Sequence, residues 1–265
     1  MRLGLIGDAH GDLHFLVDAI NTLNSTTVPE PVDEIIQLGD FGYYPAHQYG
    51  LDFIEALNDF CAEMNTTLCF IEGNHDDHDA LARLDQDDLG RGVVASHIRH
   101  LPRGHTIVDD DSIVLAMGGA VSVNKDMLEP FESWWPTEAP SRSEIDTAIA
   151  DVTSLTDTYP RSTIVLAHER PVFGTPIETG RFIRHDILAD ARLTQRELNR
   201  LRGEIQADIW VHGHHHHFAM SVHTTLEHPH PTMIVGLGAN IDRKREPNTA
   251  VLDTRTMDLT YARVV

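Results

Sequence analysis

Asn74, His75 and Asp76 follow one another just after the apolar run Leu68–Ile71. An asparagine offers a metal a neutral carbonyl oxygen, and a neutral imidazole can ligate a metal or carry a proton. Such groups at the end of a buried strand are costly unless something ordered binds them. Alone, Gly73-Asn74 is also good turn chemistry, and Asp76 a plausible helix cap. Recurrence decides against that plainer meaning. Asp8 and His10 follow the apolar run Leu3–Ile6, Asp40 follows Ile35–Leu38, His168 follows Thr163–Ala167, and His214 and His216 follow the run ending at Val211. Asp8 and His10 are one residue apart and can point to one side of an extended chain, as can His214 and His216, with His215 and His217 facing the other way. Carboxylates, imidazoles and one amide oxygen suit Mn, Fe, Zn or Ni. The donors are too many for one ion, which implies two, with a carboxylate able to bridge. Paired ions about 3.5–4 Å apart usually hydrolyse phosphate esters by activating a hydroxide for in-line displacement.

These residues must be positioned by the elements around them. Leu13, Leu16, Val17, Ile20 and Leu23 fall at helical spacing, with Asp12 as the expected cap; Phe53, Ile54, Leu57, Phe60, Cys61 and Met64 mark a second helix. The β-α-β-α-β-α order predicts a mainly parallel sheet with the site at the carboxyl ends of its strands. Residues 85–112 suggest short strands or a hairpin, with His97, His100 and His105 as solvated or edge residues. Ile113–Met117 reads as a strand, and Ile145–Leu155 as a helix. Residues 120–142 lack a period and contain Trp134-Trp135-Pro136, which fits either a lid or a loop pinned by its aromatics. Residues 172–193 look irregular, and Thr194 with Glu197 suggests a capping box opening the next helix. Strands near 219–225, 232–236, 249–253 and 257–262 suggest an antiparallel closing sheet. With no repeat or linker visible, residues 1–265 are expected to form one domain.

Composition narrows the partners. The 265 residues carry 41 acidic and 20 basic side chains, a formal net charge of −21. That balance argues against an extended nucleic-acid footprint and against an anionic membrane surface. The 18 histidines favour a metal protein. Cys61 and Cys69 suggest no disulfide framework and fit a reducing compartment. No signal peptide or membrane-length apolar run is visible, so a cytoplasmic location is expected. No Cys-x-x-Cys zinc ribbon, Gly-rich phosphate loop or dinucleotide fingerprint is present.

Taken together, Asp8-x-His10, Gly39-Asp40, Gly73-Asn74-His75-Asp76, His168 and Gly213-His214-x-His216 resemble the ordered signature of the calcineurin-like metallophosphoesterases. The segment from Gly118 to Pro136 resembles, more loosely, a prokaryotic and phage branch. The resemblance implies an α/β fold, a four-layer α/β/β/α sandwich of two mixed sheets, with two divalent ions at the strand ends. One ion would be held by Asp8, His10 and His216, the other by Asn74, His168 and His214, with Asp40 between them. Manganese is the first choice for loading in vitro. His75 would approach the leaving or a phosphoryl oxygen, with Asp76 orienting it. The implied activity is hydrolysis of a small phosphoester, a diester in preference to a monoester, by metal-bridged hydroxide attack. The alternatives are a nuclease acting on nucleic-acid ends and a non-catalytic metal-binding module. Asp76 stands where protein Ser/Thr phosphatases carry Glu, and their phosphate-binding arginines are not evident; Arg170 is a possible substitute, a surface salt bridge its simpler role. Specificity would lie in the segments 41–50, 118–142 and 169–190. Oligomeric state is not legible.

Overall fold

The computed structural model describes residues 1–25, 31–158, 161–171, 183–240 and 246–264. In chain order its elements are β1 (Arg2–Ile6), α1 (Leu13–Leu23), β2 (Glu34–Leu38), α2 (Gln48–Glu63), β3 (Leu68–Ile71), α3 (His78–Leu81), β4 (Gly92–Ala95), β5 (Ile98–His100), β6 (Thr106–Val108), β7 (Ser112–Met117), α4 (Arg142–Thr158), β8 (Ser162–Ala167), α5 (His185–Glu204), β9 (Ile209–His212), β10 (Ala219–His223), β11 (Thr232–Gly236), β12 (Thr249–Asp253) and β13 (Leu259–Ala262). One sheet runs β13-β12-β1-β2-β3-β5-β4 and the other β10-β11-β9-β8-β7-β6. Both are mixed. Each has a parallel centre, β1-β2-β3-β5 and β7-β8-β9-β11, and antiparallel edges.

Period-two alternation sorts the strand side chains into layers. Leu3, Leu5, Ile36, Leu38, Cys69 and Ile71 face the second sheet, where they meet Val114, Ala116, Ile164, Leu166, Ile209 and Val211. Their neighbours Ile6, Ile35, Leu68 and Phe70 face outward and pack under Phe15, Leu16 and Ile20 of α1 and Phe53, Leu57 and Cys61 of α2. On the far side, Ile113, Leu115, Val165 and Trp210 pack under Ile145, Ala148 and Val152 of α4 and Leu198 and Leu201 of α5. Three apolar interfaces thus separate four layers, α/β/β/α. Asp12 caps α1 as expected, accepting from the Phe15 amide at 3.0 Å. Asp77 rather than Asp76 caps α3, accepting from Ala80. Cys61 and Cys69 are free and buried. Among the described residues no helix is long and apolar enough to cross a membrane.

Three expectations need correction. The capping box at Thr194 and Glu197 does not open a helix, because α5 already begins at His185. Ile187, Ala191, Leu198 and Leu201 share its buried face, and their i, i+4 spacing carries the helix through Thr194. Of the stretch expected to be irregular, residues 172–182 lie outside the described ones. The four tail strands do not form a closing sheet of their own. β11 joins the second sheet parallel to β9 and brings β10 with it, while β12 pairs antiparallel with β1 in the first sheet and brings β13. Each pair thereby completes a sheet rather than leaving the edge backbone of β1 and β9 unpaired. Finally, His100 is not a solvated edge residue. It is 6% exposed, with Nε2 2.7 Å from Glu72 Oε2.

Candidate metal centre

The parallel centres of the two sheets end side by side, and the donors sit on the turns just beyond them. Asp8 and His10 follow β1, Asp40 follows β2, Asn74 follows β3, His168 follows β8, and His214 and His216 follow β9. Four of these residues, His10, Asp40, His214 and His216, have φ of 48°, 52°, 63° and 52°. Non-glycine residues seldom adopt this left-handed region, and they concentrate at functional sites. Glycine precedes four of the candidate donors, Asp8, Asp40, Asn74 and His214, for a steric reason. A Cβ at Gly73 would strike the Asp40 backbone, and one at Gly213 would strike the Asp8 carboxylate.

The side chains converge into two sets that share Asp40. Donor atoms of Asp8, His10, Asp40 and His216 all lie within 4.8 Å of one another, and so do those of Asp40, His168 and His214. In the first set, Nε2 of His216 lies 3.0 Å from Asp8 Oδ2 and 3.0 Å from Nε2 of His10. In the second, His168 Nε2 lies 3.5 Å from Asp40 Oδ1 and 3.1 Å from the carbonyl oxygen of Asn74. On its other side, His168 Nδ1 lies 2.8 Å from the Leu38 carbonyl oxygen, so an Nδ1–H donated there turns Nε2 into the site.

The electrostatics fit cations. Asp8 and Asp40 are buried, which works against ionisation, yet neighbouring histidines hold both below the usual carboxylate range: for Asp8 the His216 hydrogen bond and His168, for Asp40 chiefly His168. Burial works against a charge on His168 as well, but the Asp40 and Asp8 carboxylates raise it to about 10. His214, by contrast, is pushed by burial to about 3, which keeps it neutral and its lone pair free. Two buried carboxylates that draw positive charge, flanked by imidazole and amide donors, suit a pair of divalent ions sharing one carboxylate.

His75 stands at the rim. Its backbone N–H donates to Asp40 Oδ1 at 2.9 Å, and its ring centroid lies 6.2 Å from that of His10. It borders a cavity of about 500 Å³ together with Asp40, Asn74, His214 and His216. The remaining described lining is Val123, Asn124, Asp126 and Met127 from the 118–142 segment, and Ile183. The 41–50 segment contributes none of it.

Two roles expected from the sequence are revised. Asp76 does not orient the His75 ring. Its carboxylate accepts four backbone N–H groups, from Phe41, Gly42, Tyr43 and Gly73, at 2.8–3.1 Å. Both oxygens are used to clamp the turn carrying Asp40 against the turn carrying Asn74. Arg170 is not at the surface; it is 6% exposed and does not line the cavity.

Sequence reasoning missed three carboxylates. Glu169, 1% exposed, lies 3.7 Å from His214 Nε2 and 2.8 Å from His215 Nε2. Its place directly after His168 was the one available signal. Glu138 bonds Ser122, which in turn contacts Asn74. Glu72 pairs with Arg103 at 2.7 Å behind the Gly73 turn.

The model of the calcineurin-like phosphoesterases matches residues 1–218. Among solved structures, the chain is similar to the NAD nucleotidase of Haemophilus influenzae, at 12% identity and a TM-score of 0.47 over 99% of this chain and 55% of that one. It is also similar to GAP50, the anchor in the inner membrane complex of Plasmodium, at 10% identity and 0.48 over 100% and 89%. A third likeness is to a 5′-nucleotidase precursor from Thermus thermophilus, at 12% and 0.45 over 99% and 54%. The chain spans about half the length of the two nucleotidases. No curated protein matches it. With the family signature matched over most of its length and the donors of that signature gathered at one end of both sheets, the chain belongs to the calcineurin-like phosphoesterase family, the metal-dependent hydrolases of phosphoesters.

Proposed function

We propose that this protein hydrolyses a small phosphodiester, with Asp8, His10 and His216 holding one divalent ion, Asn74, His168 and His214 holding a second, and Asp40 shared. The observation that carries this is the pair of donor sets meeting at Asp40 beside a cavity of about 500 Å³. When bound, the ions supply Lewis acidity toward phosphoryl oxygens and acidify water. The chain does the rest. Asp40 is held by the His75 amide and by the turn that Asp76 clamps, so the shared carboxylate stays fixed. His75 borders the space a phosphoryl group would fill, where its ring can donate to the departing oxygen. Val123, Met127 and Ile183 offer an apolar wall to the rest of the substrate.

The diester preference is supported by charge. Among the described residues lining the cavity there is no Lys or Arg, and Asp126 adds a negative group. A singly charged diester needs less compensation than a doubly charged monoester. The buried free thiols fit a cytoplasmic setting. We take the chain as one domain, since β12 and β13 complete the sheet begun by β1.

The test is turnover of a generic aryl phosphodiester and its monoester by Mn-loaded protein, alongside His75→Ala. Diester hydrolysis lowered about 10²- to 10⁴-fold in the variant is the expected result. Faster monoester turnover would overturn the diester preference, and undiminished turnover by His75→Ala would remove His75 from the mechanism. No turnover of either ester by protein that binds Mn would favour a non-catalytic metal-binding module.

A further inference from the structure

Asn74 has two chemically different ends, and the structure shows what chooses between them. Its Oδ1 lies 3.1 Å from His168 Nε2, while its Nδ2 donates to Ser122 Oγ at 2.9 Å. Ser122 passes its own hydrogens onward: Oγ donates to Glu138 Oε2 at 2.5 Å and the backbone N–H to Glu138 Oε1 at 2.9 Å. Asn74, Ser122 and Glu138 are 2%, 1% and 3% exposed, so water does not substitute for any of these partners.

The direction of the chain follows from donor and acceptor counts. An ionised carboxylate only accepts, and a hydroxyl has one hydrogen. Glu138 takes that hydrogen, over a distance typical of O–H to carboxylate bonds. Ser122 is then left with lone pairs for Asn74. The amide must turn its NH2 toward Ser122 and its carbonyl oxygen toward His168.

We propose that Glu138 is a positioning residue for the metal centre: through Ser122 it fixes Asn74 with its carbonyl oxygen toward His168 and His214, so that this half of the site accepts a divalent ion. This rests on the reading of Asn74 as a ligand. The same contact ties the 120–142 loop to the site at both Ser122 and Glu138. Trp135, 2% exposed, anchors the loop between them, and the cavity-lining residues Val123, Asn124, Asp126 and Met127 lie on the tethered segment. The loop that looked like either a lid or a pinned segment is thus a support for a metal ligand. Glutamine at 138 has one carbonyl and one NH2 where two acceptors are needed. The two Ser122 donors go to different oxygens of Glu138, so an NH2 in place of one of them loses that acceptor, and a freed hydroxyl can donate to Asn74 Oδ1 and favour the flipped amide.

The experiment is Mn2+ titration of the full chain by calorimetry, with electron paramagnetic resonance of the bound ions, for wild type, Glu138→Gln, Ser122→Ala and Asn74→Ala. Circular dichroism checks that each variant is folded. Wild type is expected to bind two ions with a spin-coupled signal. Glu138→Gln and Ser122→Ala should keep one ion at unchanged affinity, weaken the other about 10- to 100-fold, and lose the coupled signal at limiting Mn2+. Wild-type binding of both ions by Glu138→Gln would overturn the proposal. So would equal weakening of both, which marks a general structural effect. If Glu138→Gln does not fold, Ser122→Ala decides the matter by the same two outcomes. Asn74→Ala separates the two levels. Two ions held at wild-type strength in that variant would refute the ligand reading itself; loss of one there, with none lost in Glu138→Gln, would refute only the role of Glu138.

Discussion

The two halves of the donor cluster share Asp40 and differ in their surroundings. In the half made by Asp8, His10 and His216, Asp8 is fully buried, but His10 is exposed and the His216 side chain is 35% exposed. In the half made by Asn74, His168 and His214, the corresponding exposures are 2% for Asn74, 0% for His168 and 13% for the His214 side chain. Each donor of the closed half has a partner behind it, drawn from elsewhere in the chain: Leu38 for His168, Ser122 for Asn74, Glu169 for His214. In the open half, the two histidines contact each other and the carboxylates of Asp8 and Asp40. One half is therefore enclosed at every donor, and the other is open at its two histidines while Asp8 is held by the His214 amide. Changes to the closed half should cost folding stability as well as metal, whereas changes to the two histidines of the open half should cost metal alone.

The most disruptive test removes what the halves have in common. Asp40→Asn keeps the shape and tolerates a left-handed backbone, but it halves the acceptor oxygens and removes the charge. Both ions should weaken and turnover should fall about 10²- to 10³-fold. Calorimetry that finds one ion still bound at wild-type strength would show that Asp40 serves only one half. A sharper comparison sets His168→Ala against His10→Asn. Each should weaken one ion. Urea denaturation in excess chelator should show a loss of about 2–4 kcal/mol for the buried histidine and no more than about 0.5 kcal/mol for the exposed one. Equal stability losses would erase the distinction between closed and open.

An effect confined to acid pH lies behind the Gly73 turn. His78 Nε2 bonds the Gly73 carbonyl at 2.9 Å, and burial together with Arg103 holds its pKa down to about 4 from 6.5. The unfolded chain therefore binds a proton at His78 that the folded chain refuses. The contribution is unaffected above pH 6.5 and is lost as pH falls toward 4. His78→Gln should flatten that part of a stability–pH curve in chelator by at most about 3 kcal/mol. An unchanged slope would mean that His78 does not sense the turn behind the closed half.

The candidate donor positions were legible because each motif is short and local. An apolar strand, then a glycine, then a donor places the donor at a strand end whatever the rest of the chain does. Hydrophobic periodicity likewise identified α1, α2 and the central strands, since burying one face is a local demand on spacing. It failed where a local signal competed with a longer one: Thr194 and Glu197 spell a cap, but the apolar face from Ile187 to Leu201 overrides it. It also failed for the tail, because alternation identifies a strand without naming its partner. Only the three-dimensional pairing assigned β11 to β9 and β12 to β1. The same limit applies to the support of the site. Asp76 was read as a partner for the adjacent His75, yet it bonds amides of Phe41, Gly42 and Tyr43. Glu138 and Glu169 carried no motif at all. The sequence by itself determined which residues offer donor atoms and that strand ends deliver them to one place. The tertiary structure decided which carboxylates and carbonyls stand behind them, because those contacts join residues up to 130 positions apart, such as His168 and Leu38, and only packing of the two sheets brings such groups within a hydrogen bond.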